Sequence, residues 1–228
     1  MSRQTNETML ITEINPMSAI SEAYRELRTN THFAAVDKPA KILCVTSCQE
    51  GEGKTMTCAN LAITYAQEGK RTLLIDADLR KSNLHEVFLV TNRLGLTHYL
   101  VHKQSLEQVT IDTHIDNLWL LPAGPIPPNP AELLSSNRMD ALLQEVADQY
   151  DIIIIDTPPI LIVTDAQIVA AKSEGVLIVI RSGRITRNAL LRAKGKLEHV
   201  KARIMGVVIN GKKKSSNASR HYAYTGVV

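Results

Sequence analysis

Along the chain, short unbroken apolar runs alternate with segments in which apolar residues recur every three or four positions. The runs Lys41 to Thr46, Arg71 to Asp78, Tyr150 to Asp156, Gly175 to Ile180 and Ile204 to Asn210 lack the period-two alternation of a half-exposed sheet. They predict strands covered on both faces. Asn117 to Leu121 predicts a further strand. Helices are predicted over Met56 to Ala66, Leu84 to Val90, Ala131 to Ser135, Arg138 to Asp148, Asp165 to Ala171 and Arg187 to Val200. This alternation predicts an α/β fold, a doubly wound and mostly parallel sheet flanked by helices. Pro122 to Pro130 carries five prolines and is predicted to be a rigid, non-helical surface loop.

Before the first strand, Ile20, Tyr24, Leu27, Thr31 and Ala34 recur at helical spacing, predicting a helix over about 18–35 capped by Ser18 or Ser21. Glu22, Arg25 and Arg28 follow one another at three-residue intervals. That spacing lines them up on one face, to pair internally or to meet a partner's charges. Taken alone, it favours a solvated face.

The stretch Ser47-Cys48-Gln49-Glu50-Gly51-Glu52-Gly53-Lys54-Thr55 lies between the first strand and the helix that follows it. Glycines at a strand-to-helix turn let successive N–H groups point inward as an anion nest, and the helix start adds the positive end of its dipole. Lys54 is placed to reach terminal phosphates and the Thr55 hydroxyl to ligate magnesium. This is the context of a P-loop NTPase, although Cys48 stands where the first glycine of the motif is usual.

Carboxylates gather where the other strands end. In an open parallel sheet, ligands bind at those tips, and magnesium takes a few hard oxygens plus phosphate. Asp156 fits the position that supports the ion directly or through water. Asp76 and Asp78 are expected on one side of their strand, with one of them accepting a proton from an attacking hydroxyl. Capping the next helix is the alternative role for either.

A chain of 228 residues with 44% hydrophobic content builds one substantial core, so a single domain over 1–228 is expected. The formal charge of +3 gives no basis for a nucleic-acid partner, and Lys212-Lys213-Lys214 supplies much of the excess. The sequence shows no apolar stretch of bilayer length and no signal-peptide core, so a cytoplasmic chain is expected. Cys44, Cys48 and Cys58 are odd in number and cluster near the loop, which argues against a disulfide framework. The seven histidines lack metal-ligand spacing.

The motifs Thr46-Ser47 with Gly51-Glu52-Gly53-Lys54-Thr55, Leu74 to Lys81, Gly124 to Leu134, Ile155-Asp156-Thr157-Pro158-Pro159, Thr164-Asp165-Ala166 and Gly206 to Asn210 follow one another along nearly the whole chain. Together they resemble the bacterial tyrosine kinases of exopolysaccharide and capsule synthesis, in the arrangement where the kinase is a separate cytoplasmic chain. The resemblance implies an ATP- and Mg2+-dependent protein-tyrosine kinase. Gly51 to Met56 would hold the phosphates, and Thr55, Asp76 and Asp156 the metal. Lys54, Asp76 and Asp78 would carry catalysis, and Asn210 would contact adenine. Glu22, Arg25 and Arg28 match a helix through which such kinases assemble into rings. Tyr222 and Tyr224, in a flexible tail over about 212–228, would be phosphorylated in trans. The implied partners are a membrane-anchored activator, which would recruit the chain to the inner face of the plasma membrane, and tyrosine-bearing proteins.

Glu50 and Ser82 depart from the prolines usual in that family, and the tail holds only two tyrosines. A partitioning-type ATPase is the rival enzyme, but it carries a second lysine where this chain has Gln49. A nucleotide-gated scaffold is the non-enzymatic rival.

Overall fold

The computed structural model describes residues 10–34 and 39–211. Its elements, in chain order, are α1 (Ile11–Ile14), α2 (Ala19–Phe33), β1 (Ile42–Ser47), α3 (Lys54–Gln67), β2 (Thr72–Asp76), α4 (Leu84–Val87), α5 (Leu96–Leu100), α6 (Leu106–Val109), β3 (Ile111–Asp112), β4 (Leu118–Leu121), α7 (Pro130–Ser135), α8 (Asn137–Gln149), β5 (Ile152–Asp156), α9 (Asp165–Lys172), β6 (Gly175–Arg181), α10 (Arg187–His199) and β7 (Ile204–Asn210).

One seven-stranded sheet runs in the order β3-β4-β2-β5-β1-β6-β7. All pairings are parallel except the short β3, which runs antiparallel to β4. The central strands are buried along their whole length because both faces carry core. Pleating divides the isoleucine run of β5. Ile153 and Ile155 enter one apolar cluster, and Ile152 and Ile154 the other. Burying one such side chain fully contributes roughly 1.5–3 kcal/mol. Continuous apolar runs therefore give strands here, not buried helices.

Several local expectations change. Pro130 opens α7 instead of closing an irregular loop, because a residue at the first helical position needs no N–H. Strand β2 stops at Asp76, so turn geometry and not strand alternation places Asp78. Helix α2 is capped by Ser18, whose hydroxyl accepts the Ser21 N–H at 3.0 Å. Its inward face carries Ser21 and Thr31, while Ile20 points outward. The Ser21 hydroxyl reaches the carbonyls of Ile11 and Asn15, and of the apolar stripe read in the sequence Leu27 and Thr31 pack inward while Ile20 alone stays exposed. The short elements α1, α5, α6 and β3 were not expected; a single turn or a two-residue strand carries too little periodicity to read. The tail with Tyr222 and Tyr224, and Ala35, lie outside the described residues.

Among the described residues no helix is long and apolar enough to cross a membrane. Cys44, Cys48 and Cys58 are free and buried.

Candidate active site

Between β1 and α3 the chain turns through Gly51 and Gly53, both at positive φ (73° and 87°). Gly53 is the N-cap of α3 and its positive φ favours glycine, while a Cβ there would push the Asn210 amide, 1.9 Å away, out of its place. Glu52 is buried. Its carboxylate accepts the N–H of Gln49 at 2.7 Å and that of Arg181, at the end of β6, at 3.2 Å. The Glu52 side chain thus braces the loop, and only its backbone remains to face a ligand.

The sheet register sets Asp76 beside Asp156 at the ends of β2 and β5. Lys54 folds into this acidic corner, with Nζ 2.8 Å from Asp156 Oδ1 and 3.8 Å from Asp78 Oδ2. The Cys58 thiol lies beneath, 3.6 Å from the same Asp156 oxygen. Sequence reading missed this contact, although Cys58 sits four residues after Lys54 and hence one helical turn below it. Burial alone would lower the Lys54 pKa, but Asp156, Cys58 and Asp78 outweigh it and hold the ammonium firmly charged. Lys54 is therefore part of the buried structure as well as a candidate phosphate ligand.

The two aspartates of the second motif differ. Asp76 is fully buried, with Oδ2 accepting the N–H groups of Asn83 and Leu84 at 3.1 Å and Oδ1 that of Asp78 at 3.2 Å. Burial, then the adjacent Asp156 charge, pushes its pKa up to about 7 against the Leu84 N–H and Lys54. Asp76 thus takes the capping role that the sequence left open to either aspartate. Asp78 uses Oδ1 to accept the Lys81 N–H at 3.0 Å, and it lines the cavity beside the P-loop. Burial raises its pKa, partly offset by Lys54.

That cavity, about 470 Å3, is lined by Gly51 to Met56 together with Asp78, Lys81, Asn83 and Pro159. Asn210 lines a neighbouring groove and donates to the Glu52 carbonyl at 3.2 Å. The oxygen donors of Thr55, Asp78 and Asp156 suit a hard cation such as magnesium. Among the described residues no group of three or more acidic, histidine or cysteine side chains is arranged to hold a metal ion.

A further ion pair locks the surrounding loops. Arg80 grips the fully buried Asp165 through two bonds, at 2.8 and 3.1 Å, joining the loop after β2 to the start of α9. Both residues stand in the recognised motifs, but sequence carried no sign that they pair.

The proposed assembly helix is split in its contacts. Arg25 pairs with Glu22 and donates to the Pro16 carbonyl. Arg28 turns inward, donating to the Thr64 carbonyl at 2.6 Å near the end of α3.

Residues 40–205 match the family described as AAA domain. Over 225 residues the chain is 46% identical to tyrosine-protein kinase YwqD of Bacillus subtilis, covering 99% of this chain and 93% of that protein. The chain belongs to the bacterial tyrosine-protein kinases. The putative tyrosine-protein kinase CapB of Staphylococcus aureus is 38% identical, with 92% of each chain covered. The crystal structure of the chimerical protein CapA2B2 aligns at a TM-score of 0.88 and 37% identity, covering 91% of each chain. MinD of Pyrococcus horikoshii, solved with Mg-ADP, aligns at a TM-score of 0.65 and 22% identity over 76% of this chain and 72% of that one, a likeness of fold. Membership in the tyrosine-kinase family confirms the P-loop α/β fold read from the sequence.

Proposed function

We propose that this kinase transfers the γ-phosphoryl group of ATP to tyrosine hydroxyls, with Mg2+ as cofactor. The observation that carries the reading is the buried Lys54–Asp156–Asp78 cluster at the foot of the glycine nest, in a chain similar to tyrosine-protein kinases. Backbone N–H groups from Gly51 to Met56 cradle the phosphates, and Asn210 borders the base. Lys54 exchanges carboxylate for phosphate oxygen, neutralising charge that grows in transfer. Thr55 and Asp156 hold the metal, which when bound offsets phosphate charge.

Asp78 is the better general base of the two acids. It reaches the cavity, whereas Asp76 is committed to three backbone N–H groups and supports the site from behind. The tyrosine proton passes to Asp78 as its oxygen bonds to phosphorus and the bond to ADP breaks. Acceptors include Tyr222 and Tyr224 of another copy. Copies would assemble through Glu22 and Arg25, with Arg28 holding α2 in place, and a membrane-anchored activator of polysaccharide export would recruit and stimulate the chain. The family names support the capsule context.

The experiment is incubation with Mg-ATP, with and without a candidate activator tail, followed by mass spectrometry. Phosphotyrosine on the chain or its partner is expected; ADP release without phosphotyrosine would point to a switch ATPase.

A further inference from the structure

At the mouth of the phosphate cavity, Lys81 Nζ lies 3.1 Å from Glu50 Oε2. The two side chains come from opposite banks, Glu50 from the P-loop and Lys81 from the loop that carries Asp78, and both line the cavity. The P-loop just before Glu50 and the backbone of Lys81 are pinned. The Gln49 N–H sits on the buried Glu52 carboxylate and the Lys81 N–H on Asp78. Their side chains are largely solvent-exposed, at 76% for Lys81 and 60% for Glu50, and so are free to re-pair.

Among the residues lining the cavity, the cations are Lys54 and Lys81. Lys54 is already held by two carboxylates, so an arriving polyphosphate meets an inner wall whose positive charge is spoken for. An exposed Lys–Glu pair is worth about 0.2–1 kcal/mol, little enough for a multiply charged anion to displace the carboxylate.

We propose that Lys81 is a further phosphate-binding residue of this kinase and that Glu50 is its built-in competitor, a latch that lowers nucleotide affinity until phosphate takes its place on Lys81. The inference rests on the reading of the cavity as the nucleotide site. Opening the latch leaves the backbone unchanged: the Lys81 ammonium swings from the Glu50 carboxylate to a phosphate oxygen. Glu50, then unpaired, swings into solvent and still repels the anion weakly. The consequence is non-additive. Removing Glu50 helps binding more when Lys81 is present to be released than when it is absent.

The test is equilibrium titration of the full chain with N-methylanthraniloyl ADP and ATP in Mg2+, at low and moderate salt. The variants are Glu50→Gln, Lys81→Gln, the double variant and Lys54→Met. Glu50→Gln is expected to tighten binding about three- to tenfold and Lys81→Gln to weaken it by a similar factor, with both effects shrinking as salt rises. In the Lys81→Gln background the gain from Glu50→Gln should fall below about twofold. An equal gain in both backgrounds would overturn the latch, leaving plain long-range repulsion. Unchanged affinity in Lys81→Gln would overturn the phosphate contact. If Lys54→Met and the native chain alike fail to bind nucleotide, the fault lies with the proposed function and not with the latch. Both residues are exposed, so thermal melting of the variants should match the native chain.

Discussion

The centre of the sheet and its β7 edge solve opposite problems. At the centre, β1, β2 and β5 are buried on both faces and their tips push Lys54, Asp76 and Asp156 into one dry corner, where every charge has a named partner. At the edge, β7 pairs with β6 alone among the described residues, and Val207 and Ile209 remain exposed, Ile209 lining one groove with the exposed Ile20 of α2. In low dielectric a misplaced charge is costly, so central geometry is set tightly; on a wet edge the same substitutions change little. Chemistry that must be pre-arranged occupies the first region, and contacts that form and dissolve suit the second.

The strongest way to break that contrast is Lys54→Met. Phosphotransfer should fall on the order of 10²–10³-fold, since a charge-stabilising donor is lost. Melting should show a stability loss of about 2–4 kcal/mol as well, because Asp156 and Asp78 lose their cation. Adding Asp156→Asn should restore part of the stability and none of the activity. A Lys54→Met chain with native stability would remove the claim that the corner is structurally tight.

Arg80 and Asp165 come next. Arg80→Ala strands a fully buried carboxylate and should cost about 2–3 kcal/mol, while Arg80→Ala with Asp165→Asn should cost less than Arg80→Ala alone. Denaturant titration of the cycle measures the coupling; additive costs would show the pair to be incidental.

Acidity sharpens the comparison further. The Asp76 pKa, about 7 when folded, lies above its unfolded value, so the associated stability is fully present below about pH 4 and is lost as pH rises through about 7. Asp76→Asn should flatten that dependence. The native fall in Tm between about pH 5 and about pH 8 should shrink by a few degrees in the variant, and an unchanged slope would assign it to other groups.

The smallest effects belong to the edge. Glu22→Ala with Arg25→Ala should change monomer stability by less than about 0.5 kcal/mol while lowering the mass of any assembly seen by light scattering. Arg28→Ala should instead destabilise the monomer by about 1 kcal/mol, because its guanidinium satisfies a carbonyl near the end of α3. Equal behaviour of the two would merge what the structure separates.

The same division governs what sequence could reveal. Strands β1, β2, β5, β6 and β7 were legible because unbroken apolar runs have one low-energy use in an α/β layer. The P-loop and Asp156 were legible because phosphate chemistry demands particular residues at particular spacing. In α2 the helical period was legible, since Leu27 and Thr31 pack inward, but the arc that faces the core was not, and Ile20 at its start is exposed. The pairing of Arg80 with Asp165, the different duties of Asp76 and Asp78, and the bracing by Glu52 join residues distant in sequence or reachable only through turns. No local period encodes them.

That bracing has a bearing on engineering. Because Glu52 ties the loop to Gln49 on one flank and to the end of β6 on the other, the nine residues from Ser47 to Thr55 are no portable cassette. Grafted into a foreign scaffold without a backbone N–H where Arg181 supplies one, the glutamate becomes a stranded buried charge and the nest splays. The transplantable module is the whole frame from β1 through β6, and libraries that vary the loop should hold position 52 and the strand end at 181 as one unit.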